Sequence, residues 1–195
     1  MALTPSTMLP LGTKAPAFAL PDPSGQIFEL DQIARPGQIL TVWFLCNHCP
    51  YVKHVRHALA DLGRAYQAKG VAVVGINSND ADAYPSDNPE AMAREAAEVG
   101  YTFPYLFDAT QKVAHAYHAA CTPDFYVFDA DRSLVYRGQM DASRPGNPIP
   151  VSGVDLRLAL DAAIDGRPPL EIQRPSMGCN IKWRPGNEPD YYGKA

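Results

Sequence analysis

QILTVWFLCNHCP, residues 38–50, joins an apolar run to a pair of cysteines. Residues 38–45 are uncharged and rich in β-branched and aromatic side chains, which predicts a buried strand. From Tyr51 to Lys69, apolar residues recur at helical spacing and predict a long amphipathic helix. Cys46 and Cys49 therefore lie where a strand meets a helix. On a first helical turn, residues three apart are about 5–6 Å apart at Cβ, so a small adjustment brings the thiols to disulfide geometry.

The same position predicts which thiol reacts first. Unpaired N–H groups and the helix dipole favour a thiolate at a helix N-terminus, and we expect that thiolate at Cys46. His48, when protonated, adds positive charge beside it. Cys49, one turn inside the helix, is then the buried resolving thiol.

Two other interpretations of the cysteine pair stay open. A CxxC can be half of a structural zinc site, but the second half needs another Cys or His pair, which Cys121 and Cys179 do not form. The thiols can also be inert core residues. The strand-to-helix placement favours redox chemistry, with no organic cofactor and no metal.

Composition predicts an ordinary soluble domain. The chain has 195 residues, 46% hydrophobic and 19% charged, which suits one domain with a sizeable core. A formal net charge of −4 indicates that the chain lacks the excess of basic residues that nucleic-acid binding requires. Residues 1–11 lack the features of a signal peptide, and no run is long enough to span a membrane. We therefore expect a cytoplasmic protein without nucleic-acid or membrane partners.

The order of predicted elements indicates an α/β fold with a central mixed sheet flanked by helices. An N-terminal β-hairpin is expected between residues 12 and 30, and a parallel strand–helix–strand unit through residues 71–76. The polar segment 77–88 then lies at the active-site edge of the sheet. Further strands are predicted at 104–107, 125–128 and 134–138, the last two as a hairpin, and a final helix ends at Gly166.

The chain divides into three regions on this pattern. Residues 1–11 form an N-terminal arm, 12–166 the main domain, and 167–195 a proline-rich C-terminal extension with little periodicity. The extension is expected to be ordered only where apolar side chains anchor it. The candidate anchors are Ile172, Met177, Ile181 and Trp183.

The element order, with a CxxC opening the first long helix, resembles the thioredoxin fold over about residues 12–166. The spaced residues Gly12, Ala15, Pro16, Phe18 and Leu20 resemble the opening of the AhpC/TSA redoxin branch, which includes peroxiredoxins and thiol reductants. Thr122-Pro123-Asp124-Phe125 resembles the second landmark of that branch. The resemblance implies that Thr122 and Pro123 form a loop opposite the CxxC and that Pro123 is cis.

Three departures from these families bear on mechanism. Peroxiredoxins carry Thr three residues before the peroxidatic Cys; aligned that way, Cys49-Pro50 matches the peroxidatic Cys-Pro and Cys46 replaces Thr. Thr122-Pro123 stands where they carry an arginine. Thioredoxins carry a buried acid where this chain has Leu40, so His48, His54 or Asp124 would have to substitute. His48 also matches disulfide isomerases, where a His before the second Cys raises the potential.

The favoured function is thiol-disulfide oxidoreduction on a protein or small-molecule disulfide or peroxide, with a thioredoxin-type electron donor as a candidate partner. The enzymatic alternative is an antioxidant thiol peroxidase. The non-enzyme alternative is a redox-sensing or copper-binding module, in which His115 and His118 join Cys46 and Cys49.

Two further cysteines are candidate auxiliary thiols. Cys121 precedes Pro123 by two residues and is placed either to trap a mixed disulfide or resolve a sulfenic acid, or to pack as a small buried hydrophobe. Cys179 lies in the extension, where an exposed and incidental thiol is the usual outcome and a resolving role the alternative.

Overall fold

The computed structural model describes residues 3–193. The helices are α1 (Leu30–Ile33), α2 (Pro50–Gln67), α3 (Pro89–Val99), α4 (Lys112–Ala116) and α5 (Val154–Ile164). The strands are β1 (Leu3–Pro5), β2 (Ala19–Pro21), β3 (Ile27–Glu29), β4 (Leu40–Phe44), β5 (Ala72–Asn77), β6 (Tyr105–Phe107), β7 (Cys121–Thr122), β8 (Asp124–Phe128), β9 (Leu134–Gly138) and β10 (Met177–Asn180).

A five-stranded mixed sheet forms the centre, in the order β6-β5-β4-β8-β9. Strands β4, β5 and β6 run parallel, whereas β8 pairs antiparallel with β4 and β9 antiparallel with β8. The predicted strand–helix–strand unit and both predicted hairpins, β2–β3 and β8–β9, are confirmed. Strand β4 lies at the middle of the sheet, so the segment that follows it is enclosed by neighbours.

Side chains alternate across β4 and fill two cores. Trp43 packs with α2, α3 and α5 on one face, and its ring lies edge-on to Phe103 with centroids 5.0 Å apart. Val42 and Phe44 face the opposite core, which also holds residues of α1 and α4. Because all five residues of β4 are buried, the strand needs a nearly continuous apolar run, and the hydroxyl of Thr41, the one polar side chain in it, donates a hydrogen bond to the Tyr126 carbonyl.

The arm and the extension meet in a second sheet, in the order β1-β10-β7. Strand β10 pairs antiparallel with both neighbours and sets Cys179 opposite Leu3 on one side and Thr122 on the other. Ile181 and Trp183 are buried, as predicted for anchors, and Met177 is half-buried. The prediction for Ile172 is wrong, since 75% of this residue is exposed. The extension therefore reaches the strand that precedes Pro123.

Candidate active site

The Cys46–Cys49 segment connects β4 to α2 at the carboxyl end of β4. Helix α2 begins at Pro50, and Cys49 is its N-cap residue, with φ −65° and ψ 124°. The prediction that Cys46 lies on the first helical turn is therefore wrong. Proline at the first helical position costs no hydrogen bond, because the N–H it lacks would have no intrahelical acceptor. The helix N-terminus thus favours negative charge at Cys49 rather than at Cys46.

Thr122 forms the opposite wall of the site. Its Oγ1 lies 3.2 Å from Cys46 Sγ, and its carbonyl oxygen lies 3.3 Å from Cys49 Sγ. The Thr122–Pro123 peptide bond is cis, which confirms the expectation drawn from the family resemblance. One residue of the predicted loop therefore contacts both thiols.

Asp87 is a site residue that sequence reasoning missed. This fully buried carboxylate accepts hydrogen bonds from the Asn47 backbone N–H at 2.7 Å and from the Asn79 side chain at 2.7 Å. It also lies 2.5 Å from His48 Nδ1. Burial acts to raise the pKa of Asp87, but the bonds from His48, Asn79 and Asn47 hold it below its usual value. The polar segment 77–88, predicted to lie at the active-site edge, therefore supplies the carboxylate.

The Asp87 carboxylate pairs with His48, so His48 does not act alone on a thiolate at Cys46. Its Nδ1 faces Asp87, and its ring stacks on Tyr84 with centroids 5.3 Å apart. The charge of Asp87 raises the pKa of the Cys46 thiol. Cys46 therefore faces a carboxylate–imidazole pair rather than an isolated imidazolium.

The two thiols differ in acidity. Burial raises the pKa of Cys46 well above its usual value, and a hydrogen bond to Cys49 and the Asp87 charge act in the same direction. The pKa of Cys49 is lowered, because the Cys179 and Cys46 thiols donate hydrogen bonds to it and the Val52 and Cys179 N–H groups face it. The structure thus contradicts the prediction that Cys46 is the more acidic thiol.

Cys179 was expected to be an exposed thiol in the extension, and this prediction is wrong. It is only 4% exposed, not an exposed tail thiol, and belongs to the same apolar cluster as Cys46 and Cys49. Cys121 is buried, as a core residue would be, and its thiol points to the Pro123 carbonyl at 3.7 Å. Of the two candidate auxiliary thiols, the one in the extension contacts the CxxC.

The other predicted substitutes for the missing acid lie elsewhere. His54 Nε2 is 2.7 Å from Ser143 Oγ. Asp124 is fully buried and accepts hydrogen bonds from Ser6 Oγ at 2.7 Å and Tyr126 Oη at 3.0 Å. Burial raises the pKa of Asp124 to about 7. Asp87, not these residues, provides the carboxylate next to the thiols.

The predicted copper set is not assembled within residues 3–193. His115 Nε2 lies 2.7 Å from the Asn187 carbonyl, and the His118 ring stacks on Tyr191. Among the described residues, one group of metal-ligating types converges, with atoms of Cys46, His48 and Asp87 within 4.8 Å of one another. The Asp87 oxygens already form hydrogen bonds with Asn47, His48 and Asn79. The group is therefore a hydrogen-bonded network that a cation would have to break.

Comparison with known proteins places the chain among thiol-dependent redox proteins. The AhpC/TSA family model matches residues 11–137. An uncharacterized conserved protein from Geobacillus kaustophilus, known from its crystal structure, is 54% identical and superimposes with a TM-score of 0.92, covering 95% of this chain and 98% of that one. Solved thioredoxin-like structures of lower identity share the fold, which confirms the predicted architecture.

Curated relatives of this chain carry functional names of two kinds. Thiol-disulfide oxidoreductase ResA from Geobacillus thermodenitrificans is 28% identical over 131 residues, which span 65% of this chain and 67% of that protein. A putative peroxiredoxin from Mycobacterium tuberculosis is 30% identical over 117 residues, or 60% of this chain and 69% of that protein. Within residues 3–193, no helix has both the length and the apolarity to cross a membrane.

Proposed function

Since the chain belongs to the AhpC/TSA family, we propose that it is a thiol-disulfide oxidoreductase whose redox group is the Cys46–Cys49 dithiol. One observation carries the proposal: both sulfurs are buried at the start of a helix and contact Thr122, at 3.2 Å and 3.3 Å. Two thiols held against one residue need little movement to form a disulfide. The name of the ResA relative states the same activity and supports the assignment.

The reaction begins at Cys49, because the thiolate is the nucleophile and the helix start and neighbouring donors stabilise it there. Cys49 attacks a disulfide RSSR′ and forms a mixed disulfide with R′, and RS⁻ leaves. The departing RS⁻ takes the proton of Cys46. The Cys46 thiolate then attacks the Cys49 sulfur and expels R′S⁻. The products are a Cys46–Cys49 disulfide, RSH and R′S⁻, so protons, charge and electrons balance.

Protonated Cys46 has a role in this scheme. Burial and the Asp87 charge keep the proton on Cys46 in the resting dithiol. Once Cys49 is bonded to substrate, its negative charge is gone, and one cause of the high Cys46 pKa goes with it. Cys46 becomes a nucleophile only when there is a mixed disulfide to resolve.

A second candidate function, thiol peroxidase, is favoured by the position of Cys49. It is the N-cap residue directly before Pro50 and has a lowered pKa, as the alignment with the peroxidatic Cys-Pro requires. Its thiolate would attack a hydroperoxide ROOH to give a sulfenic acid and, after protonation, ROH. Condensation with the Cys46 thiol would release water and form the same disulfide.

The partners and the compartment predicted from the sequence stay predictions. A thioredoxin-type donor would return the Cys46–Cys49 disulfide to the dithiol, and a reducing compartment such as the cytoplasm suits a pair that must be reduced again.

Single-cysteine variants test the function. Oxidation of the full chain with oxidised glutathione should give a Cys46–Cys49 crosslink by peptide mapping. Reduction of a protein disulfide such as that of insulin, measured with dithiothreitol as donor, should be lost in Cys49→Ser. Cys121→Ser is the matched control, since this buried thiol points to the Pro123 carbonyl, and it should keep the wild-type rate. A Cys49→Ser protein with wild-type activity would disprove the proposal.

A parallel assay separates the two candidates. Consumption of hydroperoxide and reduction of oxidised glutathione are measured on the same enzyme, and oxidation of Cys49 is followed by loss of alkylation. Faster oxidation by the disulfide supports the oxidoreductase, whereas faster oxidation by the hydroperoxide supports the peroxidase.

A further inference from the structure

Strand β10 holds Cys179 against the CxxC for a steric reason. The register pairs Cys179 with Thr122, the residue that contacts both other thiols. The preceding residue, Gly178, approaches so closely that a Cβ there would lie 2.0 Å from the Thr122 carbonyl oxygen. Only glycine permits this approach. The backbone of the extension therefore fixes the position of the third thiol.

Three sulfurs meet at this point, with Cys49 at the centre. The Cys46 and Cys179 thiols both lie close enough to the Cys49 sulfur to hold down the pKa of Cys49. All three residues belong to one apolar cluster, with exposures of 1% for Cys46, 0% for Cys49 and 4% for Cys179. Cys121 has other partners, since its thiol lies among the Pro123 carbonyl and the Ser6 and Ser176 hydroxyls.

We propose that Cys179 is a third redox cysteine, which resolves adducts on Cys49 by forming a Cys49–Cys179 disulfide. The inference rests on the proposed function and adds a second resolving thiol to it. In a mixed disulfide of Cys49 with R′S, the Cys179 sulfur attacks the Cys49 sulfur, the Cys49–S–R′ bond breaks, and R′S⁻ takes the proton of Cys179. From the Cys46–Cys49 disulfide, the same attack yields Cys49–Cys179 and a Cys46 thiol, without net oxidation.

Electrostatics explain why Cys179 reacts only after Cys49 has reacted. In the dithiol state, the hydrogen bond to Cys49 and the negative charge there raise the pKa of Cys179. Both causes vanish when Cys49 is in a disulfide. Burial, which also raises the Cys179 pKa, and the positive charge of Lys182, which lowers it, then remain. Reaction at Cys49 thus makes its neighbour more nucleophilic.

Glutathionylation of variants tests the resolving step. Oxidised glutathione is applied to the full-length Cys46→Ser protein, to Cys46→Ser/Cys179→Ser and to the control Cys46→Ser/Cys121→Ser. We expect glutathione on Cys49 to be released about tenfold faster or more where Cys179 is present, since a positioned intramolecular group replaces a bimolecular reaction. Release should leave a Cys49–Cys179 crosslink. Equal lifetimes of the adduct in Cys46→Ser and Cys46→Ser/Cys179→Ser would overturn the inference.

A measurement on the unaltered chain does not depend on the folding of variants. After limited oxidation and alkylation, peptide mapping should find Cys49–Cys179 with alkylated Cys46, beside Cys46–Cys49. A map with Cys46–Cys49 alone and fully alkylated Cys179 would overturn the inference and leave the proposed function intact. Failure of the proposed function looks different, because then no reversible disulfide forms at Cys46 or Cys49.

Discussion

Asp124 should make the stability of the protein fall between acid and neutral pH. The carboxyl group is fully buried, and burial raises its pKa from 3.8 to about 7 despite hydrogen bonds from Ser6 and Tyr126. The native state therefore keeps a proton that the unfolded chain releases above about pH 4. Where the native state binds more protons, the free energy of unfolding falls as pH rises. The loss should begin near the unfolded pKa and level off above the folded pKa.

The size of this loss follows from the shift. In the interval from about pH 5 to pH 8, the free energy of unfolding falls from pH 5 up to the folded pKa of about 7 and then levels off. That is a span of roughly two pH units, and each unit corresponds to about 1.4 kcal/mol. Asp124 should thus cost about 3 kcal/mol of unfolding free energy over this interval. Asp124→Asn, which has a similar shape and does not titrate, should lack this slope.

Urea denaturation of both proteins at the two pH values measures the effect. The other ionisable groups are common to both proteins, so the difference between their pH dependences isolates Asp124 to first order. Any constant offset from the new amide, whose N–H groups need acceptors, cancels in the same comparison. Identical slopes for the two proteins would refute the reasoning and mean that the Ser6 and Tyr126 hydroxyls keep Asp124 ionised in the native state.

Two substitutions test the construction of the site. Gly178→Ala sets a Cβ 2.0 Å from the Thr122 carbonyl oxygen, so β10 should separate from β7. We expect the free energy of unfolding to fall by about 1–3 kcal/mol and native-state alkylation of Cys49 to become faster. Unchanged stability and alkylation would show that the backbone adjusts freely. Asp87→Asn removes the charge that raises the Cys46 pKa and should speed alkylation of Cys46 in a Cys49→Ser background, at a cost of about 1–3 kcal/mol for a buried donor left unpaired. An equal or slower rate would remove Asp87 from the control of Cys46.

The central sheet was predictable because its strands carry strong local signals. Strand β4 is buried on both faces, an environment that favours a nearly continuous apolar run, so residues 38–45 predict it without any knowledge of its partners. The β8–β9 hairpin likewise joins two apolar strands through a short polar turn. In these elements, local preference and tertiary environment agree.

The partners of the thiols were not predictable, because they come from distant segments with weak local signals. Asp87 lies in a polar segment, where a buried carboxylate and a solvated one look the same in sequence. Strand β10 is four residues long and is specified by its pairing with β1 and β7 rather than by periodicity. Its Cys179 is 130 positions from Cys49 in the chain. Such contacts appear only when the whole fold is assembled.

The order of acidity of the two thiols, by contrast, could have been predicted from the sequence. The signal is Pro50, which the CxxC spacing alone does not take into account. Proline is favoured at the first helical position, so Pro50 marks where α2 begins and makes Cys49 the N-cap. The unpaired N–H groups and the dipole of the helix act at its beginning and weaken within one turn. A helix starting three residues earlier would favour the thiolate at Cys46 with the same CxxC spacing. The proline after the second cysteine, together with the donors that surround Cys49, therefore decides which sulfur carries the charge.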